Sequence, residues 1–275
     1  MTTNSGIGQV LRVCALAPAL GHLLTRKKIP LLSLFRPPLA AFLFLLPVTA
    51  FAHVAQHSLF IKSEGSLWAM GLNSYGQLGA GDTTNRNVPT EIVSSGVVAA
   101  TGGSEHSLFV KSDGSLWAMG RNNHGQLGTG DTADHNASIQ ILSSGVVAVA
   151  AGANHSLFLK SDGSLWGMGQ NDYGQLGNGS ADYNAHPTPT QIVSSGVAAI
   201  ARGGHHSLFI KTDGSLWAMG WNRDGQLGTG DITDRHAPTQ VVPSGVISVT
   251  AGNWHTLFLK TDGSLWAMGE NNDGQ

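Results

Sequence analysis

The sequence has few charged residues and almost no cysteine. Only 12% of its 275 residues are Asp, Glu, Lys or Arg, and 37 are glycine, a composition that excludes a helical bundle or a coiled coil. The single cysteine, Cys14, excludes a disulfide framework. A hydrophobic fraction of 41% can supply a core, so the composition also argues against a disordered chain.

Acidic residues are missing from the first 52 positions, which predicts an export signal. Basic residues 26–28 precede an apolar run, Leu39 to Leu46, and the small-residue pattern Ala50-Phe51-Ala52. The apolar run is about half of the roughly twenty residues that span a bilayer, so we expect cleavage near Ala52, with retention as a membrane anchor as the alternative. Residues 1–25 then extend the signal, and the mature chain is extracellular, periplasmic or on the cell surface. Such a simple signal is typical of bacteria.

Positive charge is scarce in the rest of the chain. Residues 53–275 contain ten basic and seventeen acidic residues. A domain with this excess of acid repels a phosphate backbone. Nucleic acid is therefore not an expected partner.

A repeat of about fifty residues organises positions 53–275. The segment Ser-Leu-Trp-(Ala/Gly)-Met-Gly occurs five times, preceded by His-(Ser/Thr)-Leu-Phe and followed by Asn-x-x-Gly-Gln. Its tryptophans are separated by 49, 49, 51 and 49 residues, the longer interval being due to two extra residues between Asp182 and Pro189. Periods of this length indicate a repeat architecture.

Each repeat is predicted to form four short strands. In the second repeat these are residues 96–100, 107–111, 115–119 and 139–142, and Asp113-Gly114 marks a tight hairpin between the middle two. Apolar residues on both faces of the third strand require sheets stacked face to face. The small residues of the first strand suit the crowded axis of a β-propeller, an all-β fold of four-stranded blades.

The combination Trp-x-Met-Gly-x-Asn-x-x-Gly-Gln-Leu-Gly-x-Gly-Asp, with Val-Ala-Ala-Gly-x-x-His-Ser-Leu after it, resembles the regulator of chromosome condensation repeat over residues 53–275. The resemblance implies a propeller that closes with seven blades, whereas about four and a half are present. The sequence is therefore expected to be a fragment, incomplete at its C-terminus. Self-association is the alternative if the chain is complete.

The residues that are invariant among the repeats are interpreted as scaffold. A metal site is the alternative for the histidines, but equivalent positions lie a blade apart, so we expect each ring to hydrogen-bond backbone of the neighbouring turn. The Asn-Asp-Gly loops lack the ligand set of a calcium loop and are interpreted as turns. No cofactor or metal is expected. The predicted structural core comprises Trp68, Trp117, Trp166, Trp217, Trp266, His57, His106, His155, His206 and His255.

Residues that differ between repeats are free to serve recognition. Trp221 and Trp254 have no aromatic counterpart in the other repeats, except that His205 is the equivalent of Trp254. Aromatic side chains are favoured in binding hot spots. Together with Tyr75, Tyr173 and His124, these residues are the candidate protein-binding surface.

The leading functional hypothesis is an exported, non-enzymatic protein-binding or scaffold module whose partner is a protein or a surface glycan. The resemblance also implies guanine-nucleotide exchange, the activity of eukaryotic family members, or inhibition of an enzyme, as in a secreted class with this kind of propeller. A fourth hypothesis makes the blades one module of a larger cell-surface protein. No residue is expected to be catalytic.

Overall fold

The structure, a computed structural model, describes residues 56–274. The export-signal prediction for residues 1–52 lies outside the described residues. Within residues 56–274 the secondary structure consists of strands, and no helix there is long and apolar enough to cross a membrane.

Eighteen strands occur in the described part of the chain. They are β1 (His57–Ile61), β2 (Leu67–Gly71), β3 (Arg86–Val93), β4 (Val97–Gly102), β5 (His106–Lys111), β6 (Leu116–Gly120), β7 (His135–Leu142), β8 (Val146–Ala151), β9 (His155–Lys160), β10 (Leu165–Asn171), β11 (Asp182–Val193), β12 (Val197–Arg202), β13 (His206–Lys211), β14 (Leu216–Gly220), β15 (Arg235–Val242), β16 (Val246–Ala251), β17 (His255–Lys260) and β18 (Leu265–Gly269).

These strands form five antiparallel sheets in chain order, so each sheet is one blade. Blades 2, 3 and 4 are the four-stranded sheets β4–β7, β8–β11 and β12–β15, whereas blade 1 (β1–β3) and blade 5 (β16–β18) have three strands. The first strands of blades 2 to 5 (β4, β8, β12 and β16) neighbour one another and line a common axis. The predicted all-β propeller of about four and a half four-stranded blades is confirmed.

The core lies between neighbouring blades. Leu108 and Leu116 of blade 2 pack against Phe158 and Met168 of blade 3, and all four side chains are inaccessible to solvent. The equivalent leucine of blade 5, Leu265, is 69% exposed because no further sheet covers it among the described residues. Burial in this fold thus depends on the next blade, as expected for stacked repeats.

The ends of the strands define two faces. One face carries the hairpin turns between the second and third strands of each blade. The other, which we call the loop face, carries the connections from first to second strand and from third to fourth strand, such as residues 103–105 and 121–134 of blade 2.

A buried asparagine shapes the longer connection on the loop face. In blade 2 the Oδ1 atom of Asn122 accepts a hydrogen bond from the Leu127 N–H at 2.9 Å, and its Nδ2 atom donates to the Asp131 carbonyl at 3.0 Å. The glycine that ends the preceding strand, Gly120, has a φ of 106°, and a Cβ there would lie 2.6 Å from the Glu105 carbonyl oxygen. The repeated Gly-x-Asn-x-x-Gly-Gln-Leu pattern therefore fixes the loop.

Candidate functional site

The repeated histidines join neighbouring blades. The Nε2 atom of His106 in blade 2 lies 2.9 Å from the Ser156 hydroxyl of blade 3, and that hydroxyl donates to the Gln126 carbonyl of blade 2 at 2.8 Å. Since the serine proton is used in this way, Nε2–H of the imidazole is the donor. The same arrangement is repeated at three other junctions, formed by His57 with Ser107, His155 with Ser207 and His206 with Thr256.

The prediction that these rings bond backbone of a neighbouring turn is wrong. The partner is a hydroxyl in the next blade, about fifty residues along the chain, and it is this hydroxyl that hydrogen-bonds to backbone. His106 and Ser107, adjacent on β5, face opposite blades because side chains alternate along a strand. His255 at the edge of blade 5 is half-buried rather than fully buried.

The histidines at the four junctions, His57, His106, His155 and His206, are called the junction histidines. Burial keeps them neutral. Desolvation lowers the pKa of His57 to about 4 and the pKa values of His106 and His206 to about 3, and it lowers the pKa of His155 well below its ordinary value. A neutral, buried imidazole whose Nε2–H has a fixed acceptor is a structural group. Nowhere in residues 56–274 do three or more His, Cys, Asp or Glu side chains come together in a group that could hold a metal ion.

The repeated tryptophans lie differently from the core position expected from the sequence. In blade 2 the fully buried aromatic residue is Phe109, and Trp117 stacks on it at 6.0 Å between ring centroids. The indole is half-buried, lies under the Lys111 ammonium, and donates its Nε1–H to Ser115. Trp68, Trp166 and Trp217 are also half-buried, and Trp266 of blade 5 is 50% exposed.

Three of the predicted contact residues come together on the loop face. The Tyr173 ring of blade 3 stacks on Trp221 of blade 4 with centroids 4.8 Å apart, and Trp221 meets Trp254 of blade 5 edge-on at 4.5 Å. His205 lies between them, 5.5 Å from Trp221 and 5.7 Å from Trp254. We call these four residues the aromatic cluster. All four are half-buried, so each has surface left for a partner.

Tyr75 and His124 occupy the same loop position in blades 1 and 2 but lie outside the aromatic cluster. The Arg121 guanidinium of blade 2 lies 4.8 Å from the centroid of the Tyr75 ring and forms an ion pair with Glu105. Burial lowers the pKa of His124. The candidate residues therefore lie on the loop face as two groups, the Tyr75–Arg121 contact between blades 1 and 2 and the aromatic cluster of blades 3, 4 and 5.

The candidate surface predicted from the sequence lacks two members of this face. His205 is the equivalent of Trp254 but is not among the predicted contact residues. Arg202 is the last residue of β12, and its Nη2 atom donates to the Gly102 carbonyl of β4 at 2.9 Å, across the intervening blade. The signal for Arg202 was its departure from the small residues Gly102, Ala151 and Ala251 at the equivalent positions.

The fold and the junctions together define a β-propeller built from repeats that share one inter-blade contact. The family profiles described as "Regulator of chromosome condensation (RCC1) repeat" match residues 64–110, 113–159, 162–210 and 213–259 and, in a second form, residues 48–77, 97–126, 146–175, 197–226 and 246–275. The chain belongs to the regulator of chromosome condensation (RCC1) repeat family.

Solved structures show the same fold. Human WBSCR16 has a TM-score of 0.70 and 24% identity, over 80% of this chain and 61% of that one. Yeast RCC1 (Prp20), in a structure bound to Kap60, has a TM-score of 0.71 and 24% identity over 81% and 55% of the two chains. Prp20p from Saccharomyces cerevisiae gives 0.64 and 23% over 80% and 55%. The chain thus spans between 55% and 61% of the length of these structures. A search of curated proteins found no significant match.

Proposed function

We propose that this chain is an exported, non-enzymatic β-propeller that binds another protein through its loop face. The observation that carries the proposal is the aromatic cluster, in which three successive blades contribute rings at positions where the repeats otherwise differ. Aromatic side chains supply much of the binding energy in protein interfaces. Relatives of this fold support a protein partner, since Prp20 is described bound to Kap60 and with binding properties to Gsp1p and histones.

The scaffold supports binding more than catalysis. At the four junctions His57, His106, His155 and His206 are buried and donate Nε2–H to a hydroxyl of the next blade, and burial lowers their pKa values, so these rings are poorly suited to act as general bases. The serines beside them donate to backbone carbonyls. The four side chains of the aromatic cluster, which vary among the blades, lie together on the loop face, and this supports recognition as the role of that face.

The test replaces two tryptophans of the aromatic cluster with the residues that blade 3 has at the same positions. Gln170 and Asn154 of blade 3 occupy the positions equivalent to Trp221 and Trp254. The double variant Trp221→Gln, Trp254→Asn therefore removes both indoles and introduces side chains that blade 3 already has at these positions. The wild-type chain is cross-linked to surface proteins of its source cells, the captured protein is identified and purified, and its Kd is measured with each variant. We expect the double variant to bind at least about tenfold more weakly.

Tyr183→Ala is the matched control, because Tyr183 is 86% exposed but lies outside the aromatic cluster. It should leave the Kd unchanged. An unchanged Kd in the folded double variant would contradict the assignment of the loop face.

Export is tested separately by sequencing the N-terminus of the mature protein, which should begin at or near His53. Recovery of the intact N-terminus from the cytoplasm would contradict export.

A further inference from the structure

The described arginines differ in how their charge is compensated. Arg86 and Arg235 form ion pairs with the aspartate four residues before them, and Arg121 pairs with Glu105. Arg223 is exposed to solvent. Arg202 differs from all of these, because it is half-buried and no carboxylate of residues 56–274 lies within ion-pair distance.

Arg202 lies where the axis of the propeller meets the loop face. The first strands line the axis, and Arg202 at the end of β12 reaches the end of β4 past β8, so its guanidinium lies on the axial side of these strands. Backbone hydrogen bonds join successive blades beside it, from Ala153 N–H to the Gly204 carbonyl at 2.9 Å and from Gly204 N–H to the Asn253 carbonyl at 3.3 Å. This chain of bonds fixes the backbone that carries Arg202.

Most of the donors of Arg202 have no acceptor among residues 56–274. A guanidinium has five N–H groups, and in the described part of the chain the hydrogen bond to Gly102 uses one. Burial lowers the pKa of Arg202 to about 10, so the side chain still carries its charge at neutral pH. A charge held in a partly desolvated place without a counter-ion is costly unless an anion completes it.

Three carboxylates of the loop face are engaged elsewhere. Glu105 pairs with Arg121, Asp172 accepts a hydrogen bond from Gln170 at 2.6 Å, and Glu270 accepts one from Asn272 at 2.9 Å. None of them compensates Arg202. An incoming anion would therefore meet a guanidinium whose remaining donors have no acceptor among residues 56–274, beside backbone that is hydrogen-bonded from blade to blade and next in sequence to the glycines that lead to His205 of the aromatic cluster.

We infer that Arg202 is an anion-binding anchor at the axis of the loop face and takes a carboxylate of the partner protein. The inference rests on the proposed function, since the partner that contacts the aromatic cluster would supply the acidic side chain. A carboxylate accepts two parallel hydrogen bonds from the planar guanidinium, and it is the anionic group that unmodified protein side chains carry. The aromatic cluster then binds an apolar part of the partner, and Arg202 binds an acidic side chain of the same partner.

Arg202→Ala tests the anchor with little risk to the fold, because alanine occupies the equivalent position in blades 3 and 5, at Ala151 and Ala251. Arg223→Ala is the matched control, since it removes the same charge from an exposed place on the loop face. The probe is a tetraglutamate peptide with blocked ends, titrated into the full chain by calorimetry at low salt, with tetraglutamine as the neutral counterpart. We expect saturable binding that Arg202→Ala weakens at least tenfold and Arg223→Ala leaves unchanged.

Equal weakening by both variants would overturn the inference, because it would show a general charge effect. So would equal binding of tetraglutamine. Tighter binding of inorganic phosphate, lost in Arg202→Ala, would overturn the carboxylate in favour of a phosphate ligand. In the partner assay, a loss of binding in the Trp221→Gln, Trp254→Asn variant with an unchanged Kd in Arg202→Ala would leave the proposed function intact and refute the anchor.

Discussion

The hydroxyl of Ser156 provides the most direct test of how the blades are held together. It accepts Nε2–H of His106 at 2.9 Å and donates to the Gln126 carbonyl at 2.8 Å, and both Ser156 and His106 are inaccessible to solvent. Ser156→Ala leaves a buried N–H and a buried carbonyl without this partner. Each such loss costs about 1–3 kcal/mol, so we expect the free energy of unfolding to fall by about 3 kcal/mol.

The assay is urea unfolding followed by tryptophan fluorescence, with a thermal melt alongside. For a domain of this size a loss of about 3 kcal/mol corresponds to a fall in Tm of roughly 6–12 °C. Ser156→Thr should restore most of the stability, because Thr256 makes the same two contacts at the junction of blades 4 and 5.

Ser58→Ala is the matched control. Ser58 is the equivalent residue of blade 1, but it is exposed and has no junction histidine opposite it in the described part of the chain. Its replacement should change the unfolding free energy by less than about 0.5 kcal/mol. If Ser156→Ala proves no more destabilising than Ser58→Ala, the junction hydroxyl does not hold the blades together and the reasoning fails.

Two further predictions concern the same junctions. A Cβ on Gly152 would lie 2.1 Å from Cε1 of His155, so Gly152→Ala should lower the free energy of unfolding by about 1–3 kcal/mol. A Cβ on Gly204 would come no nearer than 3.3 Å to another atom, and the equivalent residue of blade 3 is Ala153, so Gly204→Ala should lower it by less than about 1 kcal/mol in the same urea assay. Similar losses in both variants would contradict the steric argument. Acid should destabilise the fold, because the junction histidines have lowered pKa values in the folded state and bind protons more readily when the chain is unfolded. Their contribution to the free energy of unfolding is complete above about pH 6.5 and falls below that pH, by about 2 kcal/mol for each histidine at pH 5. A urea midpoint that is equal at pH 7.5 and pH 5 would refute this assignment.

The repeat made most of the fold predictable. Five copies of the same strand pattern, with a hairpin turn in each and apolar residues on both strand faces, required stacked sheets, and the observed strands agree with the predicted ones to within a few residues in blade 2. The outer strand is the exception, because β7 begins at His135 instead of Ile139. The irregular pairing of β6 with β7 breaks the alternation on which the prediction depended.

The sequence by itself determined which residues are common to all blades and which are not, and so it selected Tyr173, Trp221 and Trp254 as candidates. Only the tertiary structure decided what each residue touches. The histidine of one blade meets the serine of the next because sheets pack radially, and that contact joins positions about fifty residues apart. The meeting of the aromatic rings across three blades and the reach of Arg202 past one blade have the same cause. Strand patterns specify the blade, whereas contacts between blades depend on how the blades are arranged around the axis.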